Sequence, residues 1–222
     1  MKLDKHKILN LHYVDNPDFY PQCQAYASLL SYWNTIINLV SDRIVDNLFT
    51  DLIVQSIYPL SKQIISLDSH VLDVGTGAGL PGIPLKLARP DLKMILLEPR
   101  RKKTLFLKRV IEELELKNIE VVRSRLQDFS QKGDQLQNYD LITTRGTGSS
   151  LQLFPNMKHL LKPQGKCWFY KGIKGPKEAR EISQQKAVST ELMRIDKNMC
   201  VIVVGITQGK AIRKNMPTQK EE

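Results

Sequence analysis

At 222 residues the chain has room for one catalytic-sized domain with a short extension. Its composition, 41% hydrophobic, 25% charged and 7% aromatic, is that of an ordinary globular protein and excludes disordered, collagenous and disulfide-scaffold chains. Lys and Arg outnumber Asp and Glu by 33 to 23, and this formal +10 biases the chain toward polyanionic partners without proving one.

The N-terminus, Met1 to Lys7, carries charges with no apolar stretch behind them, so no signal peptide is read there. From Tyr26 to Val40 the apolar residues Tyr26, Leu29, Leu30, Trp33, Ile37 and Val40 recur in steps of three and four, which predicts one helical face. A second helix is predicted from Ile44 to Ile65, interrupted near Pro59, with Ser41-Asp42 as a cap between the two. From Ser69 onward short apolar runs alternate with helical stretches. Strands are predicted at His70–Val74, Met94–Leu97, Glu120–Val122, Leu141–Thr144, Lys166–Tyr170, Leu192–Ile195 and Cys200–Ile206. Leu107, Val110, Ile111 and Leu114 mark a helix between them, and Leu151 to Leu161 another, closed by Lys162-Pro163-Gln164-Gly165. Strands alternating with helices imply right-handed crossovers and a mostly parallel sheet. The last two strands, close together around Asp196-Lys197-Asn198, read as an antiparallel hairpin at one edge.

The fold class is therefore α/β: a doubly wound, seven-stranded, Rossmann-like sheet preceded by a helical extension. The expected divisions are a helical extension over 1–66, the sheet domain over 67–209 and a loose basic tail over 210–222. Three cysteines, Cys23, Cys167 and Cys200, are odd in number and far apart, which argues against a disulfide framework or a zinc site and for a reducing compartment. His6, His12, His70 and His159 have no ligand partners at metal spacing, so no metal is expected. The apolar run Cys200 to Val204 is too short to span a bilayer, and the chain is expected to be cytoplasmic.

The most informative stretch is Val71-Leu72-Asp73-Val74-Gly75-Thr76-Gly77-Ala78-Gly79-Leu80-Pro81-Gly82, an apolar strand running into glycines and then a helix. Glycine lets the backbone turn sharply and approach a ligand with no Cβ in the way. About twenty residues on, Glu98 ends the next apolar run, where a carboxylate can accept both hydroxyls of a ribose. Together these describe a nucleoside-containing cofactor at the carboxyl edge of the sheet. A dinucleotide loop wants Gly-x-Gly-x-x-Gly, and counted from Gly75 the third place is Leu80. An acid before the glycines, here Asp73, suits a cofactor with an amino-acid end and its ammonium group. S-adenosylmethionine is therefore favoured over NAD.

The stretch Asp73–Pro84, reading DVGTGAGLPGIP, resembles the cofactor loop of the bacterial 16S rRNA guanine-N7 methyltransferase family (RsmG, or GidB). The likeness continues through Arg89-Pro90, Leu96-Leu97-Glu98, Lys102-Lys103 with Phe106-Leu107, Ser124-Arg125 with Asp128-Phe129, and Thr144-Arg145-Gly146. It ends with Leu160-Leu161-Lys162-Pro163-x-Gly165 and Lys171-Gly172; upstream, Trp33-Asn34 and Asn38-Leu39-Val40 also match. The resemblance implies an enzyme that moves a methyl group from S-adenosylmethionine to N7 of a decoding-region guanine. It implies a partner, small-subunit rRNA or the ribosomal subunit, and a chain expected to act as a monomer. It implies that Gly75, Gly77 and Leu80 line the cofactor loop, that Leu126 and Gln127, by position, flank the adenine, and that Arg145 contacts cofactor or target. The chain departs from the pattern in its second helix. Where the family carries Arg-His-x-x-Asp-Ser, this sequence reads Asp51-Leu52-Ile53-Val54-Gln55-Ser56. Leu126, Gln127 and Gly146 also replace the usual small residue, acid and alanine.

Methyl transfer from a sulfonium is an in-line displacement that asks mainly for positioning. Guanine N7 offers a free lone pair, so no general base is nominated, and Arg145 is the candidate for positioning at the reacting centre. The Asn/Asp-Pro-Pro-aromatic run of exocyclic-amine methyltransferases is absent, its place reading Thr143-Thr144-Arg145-Gly146. Cys167 and Cys200 sit in predicted strands as core residues rather than nucleophiles, and Lys171 keeps a ribose-hydroxyl target open. Candidate RNA contacts are Arg100, Arg101, Lys102, Lys103 and Lys171, with Lys158, Lys162, Lys166, Lys174 and Lys177 in support; part of the charge is expected to pair with Glu112, Glu113 and Glu115. Tyr26 and Trp33 are expected in the core. The alternatives are a methyltransferase of this fold with another RNA or small-molecule substrate, a cofactor-binding module without catalysis, and an NAD-dependent oxidoreductase.

Overall fold

A computed structural model describes residues 14, 16–40 and 47–207, with 47–50 as backbone only. The Ser41-Asp42 cap, the start of the second helix at Ile44, His6, His12 and the tail after Gly209 lie outside the described residues.

Two helices come first: α1 (Phe19–Asn34) and α2 (Asn47–Ile57), the latter followed by a 3₁₀ turn at Tyr58–Ser61. Then follow β1 (His70–Val74), α3 (Gly82–Ala88), β2 (Lys93–Leu97), α4 (Arg101–Glu113), β3 (Ile119–Val122) and α5 (Leu126–Ser130). The chain continues through β4 (Tyr139–Arg145), α6 (Ser150–Lys158), β5 (Leu161–Lys171), α7 (Gly175–Ser183), β6 (Val188–Arg194) and β7 (Cys200–Ile206). The seven strands form one sheet in the order β3-β2-β1-β4-β5-β7-β6. The first five are parallel, and β7 runs antiparallel between β5 and the edge strand β6. The predicted doubly wound sheet and its terminal hairpin are therefore present.

Each central strand alternates its side chains between two cores, as the two-residue strand period requires. Val71, Leu141, Trp168, Val201 and Val203 point to one face. Leu72, Ile142, Cys167, Phe169, Ile202 and Val204 point to the other, where Phe129 of α5, Phe154 and Met157 of α6 and Ile182 of α7 cover them. The first face is covered by α3 and α4 and also by α1 and α2. Phe19, Cys23, Tyr26 and Leu30 of α1 and Ile53 and Ile57 of α2 share that core with Ile83, Leu107 and Val110. Trp33 packs its ring 6.0 Å from Phe106 of α4. Burying side chains of this size contributes about 1.5–3 kcal/mol each, so the helical extension is held to the sheet by the main core itself. The hydroxyl of Tyr170 on β5 also donates to the carbonyl of Ser56 on α2.

Several boundaries differ from expectation: α2 gives way to the 3₁₀ turn instead of reaching Ile65, β6 runs over Val188–Arg194 rather than Leu192–Ile195, and β4 over Tyr139–Arg145 rather than Leu141–Thr144; three further differences have a local reason. Helix α1 stops at Asn34, short of Ile37 and Val40, because the Asn34 carboxamide oxygen accepts the N–H groups of Leu39 at 2.9 Å and Val40 at 3.0 Å. Helix α6 ends at Lys158 rather than Leu161, since Leu161 already pairs with Tyr139 across β4 and β5. The stretch Lys162-Pro163-Gln164-Gly165 is an irregularity inside β5, after which pairing resumes at Leu141 opposite Lys166. Gln164 takes φ 70° there.

Register places the site. Val74 lies opposite both Leu97 of β2 and Thr144 of β4, so Gly75, Glu98 and Arg145 leave the sheet side by side. The strands on either side of β1 are entered by connections running in opposite directions. The carboxyl end of such a switch point is where open α/β sheets bind ligands.

Candidate functional site

At that switch point lies a cleft of about 470 Å³. Its walls are the loop Gly75–Ala78 with Leu80, the turn Glu98–Arg100 with Lys103 of α4, the strand end Arg145–Thr147, and Leu39-Val40 from the turn after α1. Three other hollows, of about 340, 190 and 440 Å³, all open at the opposite, amino end of the parallel strands.

The glycine loop is built by packing as much as by backbone freedom. Gly77 takes φ +59°, and a Cβ added there would make only ordinary contacts, with the Gly75 carbonyl oxygen and Lys103 Nζ at 3.8 Å, so the cleft wall has room for a side chain there. Gly82 is different. A Cβ there would come within 2.5 Å of Leu96 Cδ2 and 2.7 Å of Asp73 Oδ2. Gly82 therefore permits the close approach of helix and strand that the dinucleotide pattern assigns to its third glycine, two positions beyond Leu80. The Tyr26 hydroxyl, on α1, donates to the Ala78 carbonyl at 2.5 Å and ties the extension to the loop.

Glu98 is 4% exposed and stands just past β2. Its Oε2 accepts the Gly77 N–H at 3.0 Å and its Oε1 the Arg100 N–H at 2.9 Å. It is the one carboxylate among the described residues lining the cleft, which Arg100, Lys103 and Arg145 also line. Burial lowers the Lys103 ammonium from its usual range and Arg100 adds to that, while Glu98 opposes it. Arg145 closes β4; its Nη2 donates to Gln55 Oε1 at 2.8 Å, and its Nη1 is buried with no hydrogen-bond partner. Burial holds its guanidinium below the ordinary range, with Tyr170 and Asp196 opposing the shift.

Other candidates lie elsewhere. Asp73 does not reach the cleft. It is fully buried under the loop, its Oδ2 accepting the Gly82 N–H at 3.0 Å and its Oδ1 the Thr143 hydroxyl at 2.8 Å. Burial pushes its carboxyl up to about 6, against the pull of those donors. It braces strand, helix and loop rather than meeting a ligand's ammonium. Leu126 is buried in the second core beside Phe129, and Gln127 is exposed on α5; neither lines the cleft. Lys171 is not a free cation: its Nζ pairs with Glu178 at 3.0 Å and donates to the Gly148 carbonyl. Lys162, Lys166 and Lys177 likewise have partners in Asp140, Gln63 and Glu181. Arg101 and Lys102 are exposed at the start of α4, next to the cleft. The pairing expected along this helix is made by Arg109, with Glu112 at 3.0 Å and with Glu113.

Leu39, Val40, Pro99 and Thr147 line the cleft without having been singled out, although Asn38-Leu39-Val40 carried part of the resemblance. Gln55 was noted only as a departure. Nothing in the local sequence marks Thr147, whose methyl sits 2.0 Å from where a Cβ on Gly75 would stand. All three cysteines are free and buried, and burial raises their thiols, the reverse of what a nucleophile needs. Among the described residues no three His, Cys, Asp or Glu side chains gather as metal ligands, and no helix is long and apolar enough to cross a membrane.

Comparison with known proteins agrees with this geometry. The chain is 41% identical over 152 residues to the ribosomal RNA small subunit methyltransferase G of Helicobacter pylori (strain ATCC 700392 / 26695), covering 68% of this chain and 82% of that one. It is 33% identical to the protein of that name from Chromobacterium violaceum over 169 residues, 76% of this chain and 78% of that one. In fold it is similar to an S-adenosylmethionine-dependent methyltransferase from Aquifex aeolicus, with a TM-score of 0.59 at 18% identity over 80% of this chain and 98% of that one. It is also similar to the precorrin-6y C5,15-methyltransferase of Geobacter metallireducens, with a TM-score of 0.56 at 16% identity over 76% and 93% of the two chains. The profile of one family, rRNA small subunit methyltransferase G (GidB), matches residues 20–202, and the chain belongs to that family.

Proposed function

We propose that the chain transfers a methyl group from S-adenosylmethionine to N7 of a guanine in 16S rRNA. The observation that carries this is the coincidence of family membership with a cleft at the sheet's switch point, walled by a glycine loop and one carboxylate. The cleft residues fit such a cofactor. The open side of Gly77 is a cradle that a side chain would fill. Each Glu98 oxygen takes one backbone N–H, which leaves lone pairs for a pair of ribose hydroxyls. Gly75, Gly77 and Leu80 form the floor under the cofactor, and Arg145 faces its amino-acid end or the target nucleotide. The bound cofactor supplies an electrophilic methyl group on a sulfonium. Residues of this chain then need only hold the guanine N7 lone pair in line with it and exclude water; no proton has to leave before attack. Leu39 and Val40 supply an apolar wall that excludes water. Arg100, Arg101, Lys102 and Lys103 form a basic rim for phosphates, which orients the RNA without reading its sequence. Action on rRNA supports a cytoplasmic location.

The test is to incubate the protein with S-adenosylmethionine and small ribosomal subunits lacking the modification, digest the RNA and look for 7-methylguanosine by mass. Its appearance is the expected result. Cofactor binding without 7-methylguanosine would replace this reading with a different acceptor or a non-catalytic binding module, and NAD binding in place of S-adenosylmethionine would overturn it altogether.

A further inference from the structure

Arg145 has its Cα fixed by the β4–β5 ladder, opposite Tyr170. Its guanidinium is less constrained: Nη1 has no partner, and Nη2 has Gln55 Oε1. Gln55 comes from α2, ninety residues earlier in the chain. Its own amide is engaged at both ends, for Nε2 donates at 2.9 Å to Oδ2 of Asp196 in the β6–β7 turn. Asp196 is itself held, its Oδ1 accepting the Asn198 N–H at 2.7 Å. An ionised carboxylate only accepts, so the amide's NH₂ must face Asp196 and its oxygen must face Arg145. Reversed, the amide would set donor against donor at the arginine.

We infer that Gln55, oriented by Asp196, is the positioning residue for Arg145 in the cleft. The inference rests on the methyltransferase reading above. The neutral amide fixes the guanidinium without neutralising it, so its charge stays available to a ligand's oxyanion. A carboxylate at position 55 would pair with the arginine and stand against Asp196. The departure from the family pattern at this position thereby acquires a role, in which the acid sits one step further out.

The experiment compares the full chain with Gln55→Leu, Asp196→Asn, both together, and Gln55→Glu combined with Asp196→Asn. Each is read by steady-state methylation of unmodified small subunits, by thermal unfolding, and by the ¹⁵N resonances of the Arg145 guanidinium, assigned with Arg145→Lys. Gln55→Leu should lower kcat/KM about tenfold and erase the restrained guanidinium signal, with melting close to wild type. Asp196→Asn keeps an acceptor for Asn198 but turns a donor toward Gln55, so the amide reverses; the loss should be of similar size. The two substitutions together should do no more than Gln55→Leu alone. Gln55→Glu with Asp196→Asn restores a donor–acceptor–donor chain and should recover the restrained guanidinium signal but not the activity, because the carboxylate neutralises the arginine. Wild-type signal and activity in Asp196→Asn, or losses that multiply in the double variant, would overturn the inference. A wild-type protein that shows the coupled guanidinium signals but makes no 7-methylguanosine would keep the positioning and overturn the methyltransferase reading instead. If Gln55→Leu melts far below wild type, Asp196→Asn alone and combined with Gln55→Glu decide the matter, since each of these substitutions keeps a polar side chain of the same size.

Discussion

At the scale of single residues, the loop separates side chains that meet the cleft from side chains that build it. Gly77 belongs to the first kind: φ is positive and a Cβ there would meet no atom nearer than 3.8 Å. Replacing it with Asp should keep the fold, since the left-handed backbone costs an L-residue about 1–2 kcal/mol, while the carboxylate enters the cofactor space beside Glu98. Calorimetric titration with S-adenosylmethionine should then show no binding in a protein that still unfolds cooperatively; normal affinity would remove the loop from the site. Asp73 belongs to the second kind, and its test is one of pH. Its folded value, about 6, lies above the ordinary carboxylate value of 3.8 from which burial has raised it. Between those values the folded state binds the proton more tightly than the unfolded state does. This carboxyl therefore favours folding below about pH 4, and that contribution is lost as pH rises through about 6, then levels off. Asp73→Asn should flatten that part of the stability profile, as urea midpoints at pH 4, 5, 6 and 7 would reveal. An unchanged slope would mean that the carboxyl does not titrate there.

At the scale of elements, α1 reaches the loop with a buried bond from the Tyr26 hydroxyl to the Ala78 carbonyl. Tyr26→Phe keeps the ring in the core and leaves that carbonyl without this donor. A loss of about 1–3 kcal/mol in unfolding free energy is expected, with a weaker cofactor affinity because Ala78 lines the cleft. Equal loss of stability with unchanged affinity would show that the extension braces the core but not the loop. The elements also show why local patterns misjudged some ends. Steps of three and four carry past Asn34 to Ile37 and Val40, and the periodicity is real, because those residues do pack against the core. What ends the helix is a side chain, Asn34, offering its oxygen to two backbone N–H groups further on. That competition leaves no trace in hydrophobic spacing. Likewise Lys162-Pro163-Gln164-Gly165 has the composition of a connecting turn, yet the ladder with β4 begins before it and resumes after it.

For the whole molecule the relevant quantity is the placement of charge. Among the described residues, four of the seven lysines after Lys158 (Lys162, Lys166, Lys171 and Lys177) have carboxylate or amide partners, whereas Arg101 and Lys102 are exposed beside the cleft. Net charge therefore overstates the unpaired positive surface, part of which lies at the start of α4 beside the cleft. Lys102→Glu should weaken subunit binding with a salt slope reduced by about one, and should leave S-adenosylmethionine affinity alone. Lys162→Glu should have little effect on RNA binding, since its charge already answers Asp140. Filter binding across a salt series would separate the two, and equal losses would spread the RNA surface to the far edge of the sheet.

Sequence alone determined the strands at His70–Val74 and Cys200–Ile206, the alternation with helices, the glycine turn, and the position of Glu98 and Arg145 at the carboxyl ends of their strands. These rest on side-chain periods and turn residues, which are local properties of a chain. Tertiary structure alone decided that Asp73 turns inward, that Leu126 joins a core, that Lys171 is spent on Glu178, and that Gly82 makes the close helix contact. It also brought Leu39, Val40 and Thr147 to the cleft and Gln55 to Arg145. Each of these depends on which face a residue presents and what lies across from it. That is settled by sheet register and by packing between segments far apart in the chain, and no local spacing records it.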